Sequence, residues 1–109
     1  MFARNRNDYD RALYIASWPA ARSAHWQALL LARAIENQTY IAGCNRVGQD
    51  ANALSYSGDS RIISPTGELL AIAAADTPEV ISATLSLQEL QAYRQRFPAW
   101  RDADNFTLE

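Results

Sequence analysis

RSAHWQALLLARAIEN, residues Arg22–Asn37, is the stretch whose reading decides the fold. Trp26, Leu29, Leu30, Arg33 and Asn37 recur at steps of three and four, and Leu31, Ala32, Ala34 and Ile35 widen the apolar surface. That pattern predicts a helix covered on more than one side, with Ser23 as its cap and an end near Gln38. ALYIAS at Ala12–Ser17 and YIAGC at Tyr40–Cys44 flank the helix. Both are short and apolar without clean alternation, as expected of central strands in a sheet with both faces covered. The expected fold class is therefore mixed α/β, built on a strand-helix-strand core.

Outward from that core, Met1–Arg11 is a polar lead that runs directly into the first strand. Ser17, Trp18, Pro19, Ala20 and Ala21 form the loop from strand to helix. Pro19 biases Trp18 away from helical geometry and holds its indole near the carboxyl end of the strand. Ligand-binding loops of sheet proteins gather at that end, so Trp18 reads as a pocket residue or as a ring packed over the helix start. After the second strand, Gln49–Ser57 is polar, with Asp50 and Asn52 marking turns, and suits a loop over an opening.

Asp59–Ser64 and Glu68–Ala74 then read as an antiparallel hairpin around Ser64-Pro65-Thr66-Gly67, with Pro and Gly at the second and fourth turn places. Glu79–Thr84 reads as a further strand. Ser86 and Glu89 form a capping box for a second helix whose apolar stripe is Leu87, Leu90, Tyr93 and Phe97, leaving Gln88, Gln91 and Arg94 outside. Pro98 ends that helix, and Trp100, Phe106 and Leu108 are anchors in the polar tail.

The 109 residues allow one domain, and 49% of them are hydrophobic, which argues against disorder. A net charge of -2 without a basic run argues against a nucleic-acid surface. One cysteine excludes an intrachain disulfide framework and makes a cytoplasmic setting the expectation. No apolar segment approaches the roughly 20 residues that span a bilayer, so no membrane association is expected. No glycine-rich phosphate fingerprint is present, and one His and one Cys far apart give no ligand cluster, so neither cofactor nor metal is expected. All ten basic residues are arginine; the chain contains no lysine.

Local chemistry is sparse. Cys44 reads as a small buried hydrophobe, or as a nucleophile if His25 approaches it as a base. His25 itself reads as locally hydrogen-bonded, because no acid stands where local sequence can pair with it. Arg33 and Glu36 lie one turn apart, and as a buried pair they would serve specificity rather than net stability. Glu36, Asp59 and Glu68 neighbour apolar segments without a spacing that puts two on one face.

The run ASWPAARSAHWQALLLARAIENQTYIAGCNRVGQD, followed by YSGDSRIISPTGELLA, resembles the carboxyl-terminal part of the nitrilase superfamily of carbon-nitrogen hydrolases. Within it the resemblance is to the omega-amidase branch, which removes the amide of alpha-keto acid amides such as 2-oxoglutaramate. It spans about Asn5 to the end. It implies an α-β-β-α sandwich of which residues 1–109 are the carboxyl-terminal portion, with strand-helix-strand followed by hairpin, strand and helix. Complete members use a glutamate base, a lysine that stabilises the tetrahedral intermediate, and a cysteine that forms a thioester. In that pattern the cysteine lies just upstream of MFARNRN, and Cys44 is not the nucleophile position.

No catalytic role is therefore carried over to any residue of this chain. The resemblance assigns Ser17, Trp18 and Arg22 to the acyl-pocket wall. Arg33, Glu36 and Asn37 match buried framework positions, and Asn45, Arg46, Tyr56 and Ser60 close one side of the site. Members often carry Gly directly after the turn Asn, whereas Ala53 follows Asn52 here, so that loop is expected to take another course. The implied partners are a second copy or the missing amino-terminal portion of the hydrolase, with a small amide as substrate only in the complete enzyme. The expected function is a hydrolase fragment that supplies scaffold and pocket wall, or a noncatalytic remnant that binds a protein partner.

Overall fold

A computed structural model of the chain describes residues 4–102. Strand β1 (Arg11–Ala16) leads through a short 3-10 turn (Ala20–Arg22) into helix α1 (Ser23–Asn37) and strand β2 (Tyr40–Asn45). Strands β3 (Val47–Gln49), β4 (Ser55–Ser57), β5 (Arg61–Ile63) and β6 (Leu69–Ile72) follow, then helix α2 (Leu87–Arg96) and a 3-10 turn (Ala99–Asp102). The main sheet has the order β1-β2-β5-β6. Its first pair is parallel, from Arg11 opposite Tyr40 to Ala16 opposite Asn45, and the other two pairs are antiparallel. The fold is mixed α/β, with the strand-helix-strand core, hairpin and C-terminal helix in the expected order.

The core lies between α1 and one face of this sheet. Trp26, Leu30 and Ala34 pack on Ile41 and Ile63, with Ala12, Tyr14, Ala16 and Trp18 around them. Gly43 lets the helix approach, since a Cβ there would stand against Leu30 and 3.0 Å from Trp26 Cζ2. In the β5–β6 hairpin, Gly67 takes φ 92° and its N–H donates to the Ser64 carbonyl at 3.0 Å, closing the turn expected at Ser64–Gly67.

Several expectations are corrected. α1 is covered along one stripe, with Leu29 and Ile35 exposed. Ser23 is its first residue rather than its cap; its hydroxyl donates to Asp59. β1 is an edge strand whose outward residues Leu13 and Ile15 are 70% and 84% exposed. Its residues are apolar on both faces, yet the described residues cover only one of them. Gln49–Ser57 is not an open loop, because β3 and β4 pair across it from Val47 opposite Ser57 to Gln49 opposite Ser55. Glu79–Thr84 forms no ladder among the described residues, and Val80 is 98% exposed.

α2 keeps its N-cap, with Ser86 Oγ accepting the Glu89 N–H at 3.1 Å. The reciprocal half of the expected box is taken by Tyr40, whose hydroxyl accepts the Ser86 N–H at 3.2 Å. The apolar stripe is shorter than its sequence pattern. Leu90 is buried, Leu87 and Phe97 are exposed, and Arg94 is buried instead of outside. α2 lies against the polar lead and the Gln38–Thr39 junction, where the Arg94 guanidinium finds its hydrogen-bond partners. Phe106 and Leu108 lie outside the described residues.

Candidate functional site

The carboxyl ends of parallel β1 and β2 lie side by side, Ala16 opposite Asn45, so the loop leaving β1 meets the residues leaving β2. Asn45 joins them. Its Oδ1 accepts the Trp18 backbone N–H at 2.7 Å, and its Nδ2 donates to the Trp18 carbonyl at 2.9 Å and the Gly58 carbonyl at 3.0 Å. Ser60 Oγ accepts the Asn45 N–H at 2.9 Å and donates back to the Asn45 carbonyl at 3.3 Å. Every polar group of the Asn45 carboxamide has a partner, which suits a half-buried amide. One side chain thus ties β1, β2 and the Gly58–Ser60 bend together.

Trp18 is packed over the helix start. Its ring centroid lies 5.9 Å from that of Trp26, and its indole N–H donates to the Arg22 carbonyl at 2.7 Å. Arg22 holds the N-cap position of α1 without a side-chain cap bond, and Ser17 and Arg22 are exposed. Arg33 and Glu36 pair at 2.6 Å, but on the solvated side of α1, so the expected burial of the pair is corrected. Asn37 is buried; its Oδ1 accepts the Asn5 N–H at 2.8 Å and its Nδ2 donates to the Arg33 carbonyl at 3.0 Å.

Beside the Asn45 junction, the β3–β4 hairpin is built on one carboxylate. Asp50 Oδ1 accepts the N–H groups of Asn52 at 2.9 Å and Leu54 at 3.0 Å, and its Oδ2 accepts the Tyr56 hydroxyl at 2.9 Å. The Leu54 N–H, followed by the Tyr56 hydroxyl, holds the Asp50 carboxyl below its ordinary range, and the same bond pushes the Tyr56 phenol up. The Arg46 guanidinium stacks over the Tyr56 ring, 4.5 Å from its centroid. Ala53 adopts φ 61°, the left-handed conformation that a glycine takes without strain.

A cleft of 760 Å³ opens on the face of the sheet opposite α1, and Asn45, Arg46 and Ser60 line it together with Leu13, Ile15 and Cys44. Ser17, Trp18, Arg22 and Tyr56 are not among its lining residues. Cys44 is exposed on this face rather than buried, since Ile15 and Cys44 share the side without a cover. His25 is on α1, so the sheet stands between thiol and imidazole and the two cannot work as a pair. Among the described residues no group of three or more His, Cys, Asp or Glu could hold a metal, and no helix is long and apolar enough to cross a membrane.

Three polar centres escaped the sequence analysis. Asp59, at φ 57°, accepts the Ser23 and Ser57 hydroxyls on one carboxylate oxygen, and its carbonyl accepts the Trp26 indole N–H at 3.1 Å. Asn5 and Arg94 are the other two, buried at 4% and 6% exposure. A polar residue that reads as loop or outer helix face carries no local mark of such burial.

Comparison with known proteins agrees with this architecture. The chain is 61% identical over 108 residues to an omega-amidase of Escherichia coli, covering 99% of this chain and 42% of that protein. It is 39% identical over 87 residues to a 2-oxoglutaramate amidase of Bacillus subtilis, covering 80% of this chain and 33% of that protein. A solved CN-hydrolase superfamily protein of Xanthomonas campestris superposes with a TM-score of 0.94 at 41% identity, covering 99% of this chain and 43% of that one. The chain thus spans less than half the length of these relatives. Residues 9–95 match the family model described as carbon-nitrogen hydrolase, and the chain belongs to that family.

Proposed function

We propose that residues 1–109 form the carboxyl-terminal portion of an amidase of the omega-amidase type, supplying scaffold and pocket wall for hydrolysis of small linear amides such as 2-oxoglutaramate. The 61% identity over 99% of the chain to an omega-amidase carries this assignment. The nucleophilic cysteine, the lysine and the glutamate base come from a preceding portion. The chain has no lysine, and its one histidine, His25, lies on α1, across the sheet from Cys44.

In the assembled enzyme the cysteine thiolate attacks the amide carbonyl, ammonia leaves, and water releases the acid from the thioester. The role of this chain is to hold the wall. Asn45 sets the course of the loop carrying Ser17 and Trp18. Arg22, exposed at the end of that loop, offers a planar fork suited to the carboxylate of a keto-acid amide. The apolar face of Leu13 and Ile15 is the contact surface for the preceding portion, and the outer side of α1 with Leu29 and Ile35 is the surface for a second copy.

The test mixes the purified chain with a separately made upstream segment of a full-length relative, then reads light-scattering mass and ammonia release from 2-oxoglutaramate in the same samples. A stoichiometric complex that releases ammonia, with no turnover by either part alone, is the expected outcome. Enzyme-like turnover by the chain alone overturns the division of labour. A defined homo-oligomer that ignores the upstream segment and stays inactive favours the noncatalytic binding module.

A further inference from the structure

Arg94 sits in the last turn of α2, and its guanidinium is consumed by hydrogen bonds. Nε donates to the Gln38 carbonyl at 3.1 Å. Nη1 donates to Asn7 Oδ1 at 3.0 Å and Asp10 Oδ1 at 2.9 Å, and Nη2 to the Tyr9 carbonyl at 2.8 Å and Thr39 Oγ1 at 3.2 Å. A guanidinium has five N–H groups, and five bonds are made. Three run to the lead before β1 and two to the junction between α1 and β2.

We infer that Arg94 is a positioning residue: it latches residues 5–10 to the body of the fold and sets the path on which the chain enters β1 from the nucleophile side. The catalytic consequence rests on the function proposed above, in which the nucleophile directly precedes this lead. Burial of a charged group is unfavourable unless its hydrogen bonds are complete. Complete satisfaction of a rigid planar fork fixes its acceptors in space, which a lysine cannot reproduce.

The lead is shaped to receive the latch. Asn5 Oδ1 accepts the N–H groups of Asp8 at 2.7 Å and Tyr9 at 3.2 Å, curling the segment. Its Nδ2 donates to the Tyr9 carbonyl at 2.7 Å and Thr39 Oγ1 at 2.8 Å, so Asn5 and Arg94 share two acceptors. Asn7 takes φ 71°, a left-handed conformation that asparagine tolerates better than most residues with a Cβ, and Arg94 donates to its carboxamide oxygen. α2 has two buried residues, Leu90 and Arg94, so the Arg94 contacts are a main part of its docking. A displaced lead would move the residue before it, and a misplacement near 1 Å at a reacting atom lowers rates about a hundredfold.

The test compares the wild-type chain with Arg94→Met and Arg94→Lys, alone by amide hydrogen exchange and joined to the upstream segment by amidase kinetics. In Arg94→Met, protection of residues 5–10 falls at least about tenfold while β2 and β5 keep theirs, and Arg94→Lys falls less. In the joined enzyme kcat drops about tenfold or more, with KM within about threefold, as for loss of an arrangement needed in the transition state. Unchanged protection in the lead, protection lost evenly over the whole chain, or full kcat with an open lead would each overturn the latch. If Arg94→Met does not fold, Asn7→Ala and Asp10→Ala, each removing one contact at an exposed position, replace it; a lead that stays closed in both overturns it. If the wild-type complex releases no ammonia, the amidase function fails while the exchange result still decides the latch.

Discussion

The Asn45 carboxamide grips both backbone polar groups of Trp18, accepting its N–H at 2.7 Å and donating to its carbonyl at 2.9 Å. A side chain at the end of one strand thereby dictates the course of the loop leaving its neighbour. Asn45→Ala removes three side-chain hydrogen bonds and should destabilise the chain by about 2–3 kcal/mol. Urea unfolding monitored by indole emission checks this, and a midpoint equal to wild type would show that the loop holds its course without Asn45.

The β3–β4 hairpin should loosen in acid. The Leu54 N–H, then the Tyr56 hydroxyl, hold the folded Asp50 carboxyl below its ordinary value, so the unfolded chain binds the proton more readily. The contribution is therefore fully present above the unfolded value of about 3.9 and is lost as pH falls from there through the folded one. Tyr56→Phe removes the 2.9 Å bond and should raise the Asp50 value toward the ordinary range, read from its carboxyl carbon shift by NMR titration. An unchanged titration would leave the backbone N–H donors as the whole cause.

Ala53 at φ 61° carries a strain that glycine avoids. Ala53→Gly should stabilise the chain by up to about 1 kcal/mol, because relief of left-handed strain exceeds the added entropy of the unfolded chain. A lower thermal midpoint than wild type would place the left-handed residue elsewhere in the loop.

Where local chemistry decides conformation, the sequence was legible. Trp26, Leu30 and Asn37 of the three-and-four series are buried on α1 together with Ala34, Ser64-Pro65-Thr66-Gly67 closes the β5–β6 turn, and Ser86 caps α2. The β3–β4 hairpin was not legible, since Gly48, Gln49, Ser55 and Ser57 are weak strand formers and an Asp50 side chain holds the ends together. Glu79–Thr84 reads as a strand from its β-branched residues, but a strand exists only when another pairs with it, and none of the described residues does. For the site, Asn45 and Ser60 are hydrogen-bonded to each other and line one cleft, whereas Asp59 did not stand out in the sequence.

The strand-helix-strand core around α1, the β5–β6 turn, the cap of α2 and the absence of lysine are properties of the chain read residue by residue, because periodicity, capping and composition act over a few neighbours. Which polar groups converge is decided by topology alone. Arg94 and Tyr9 are 85 residues apart and meet at 2.8 Å, and Asn45 reaches Trp18 across 27 residues. Exposure is decided in the same way. Leu13, Ile15 and Cys44 read as buried because they are apolar, yet burial needs a second surface, and α1 lies on the other face of the sheet.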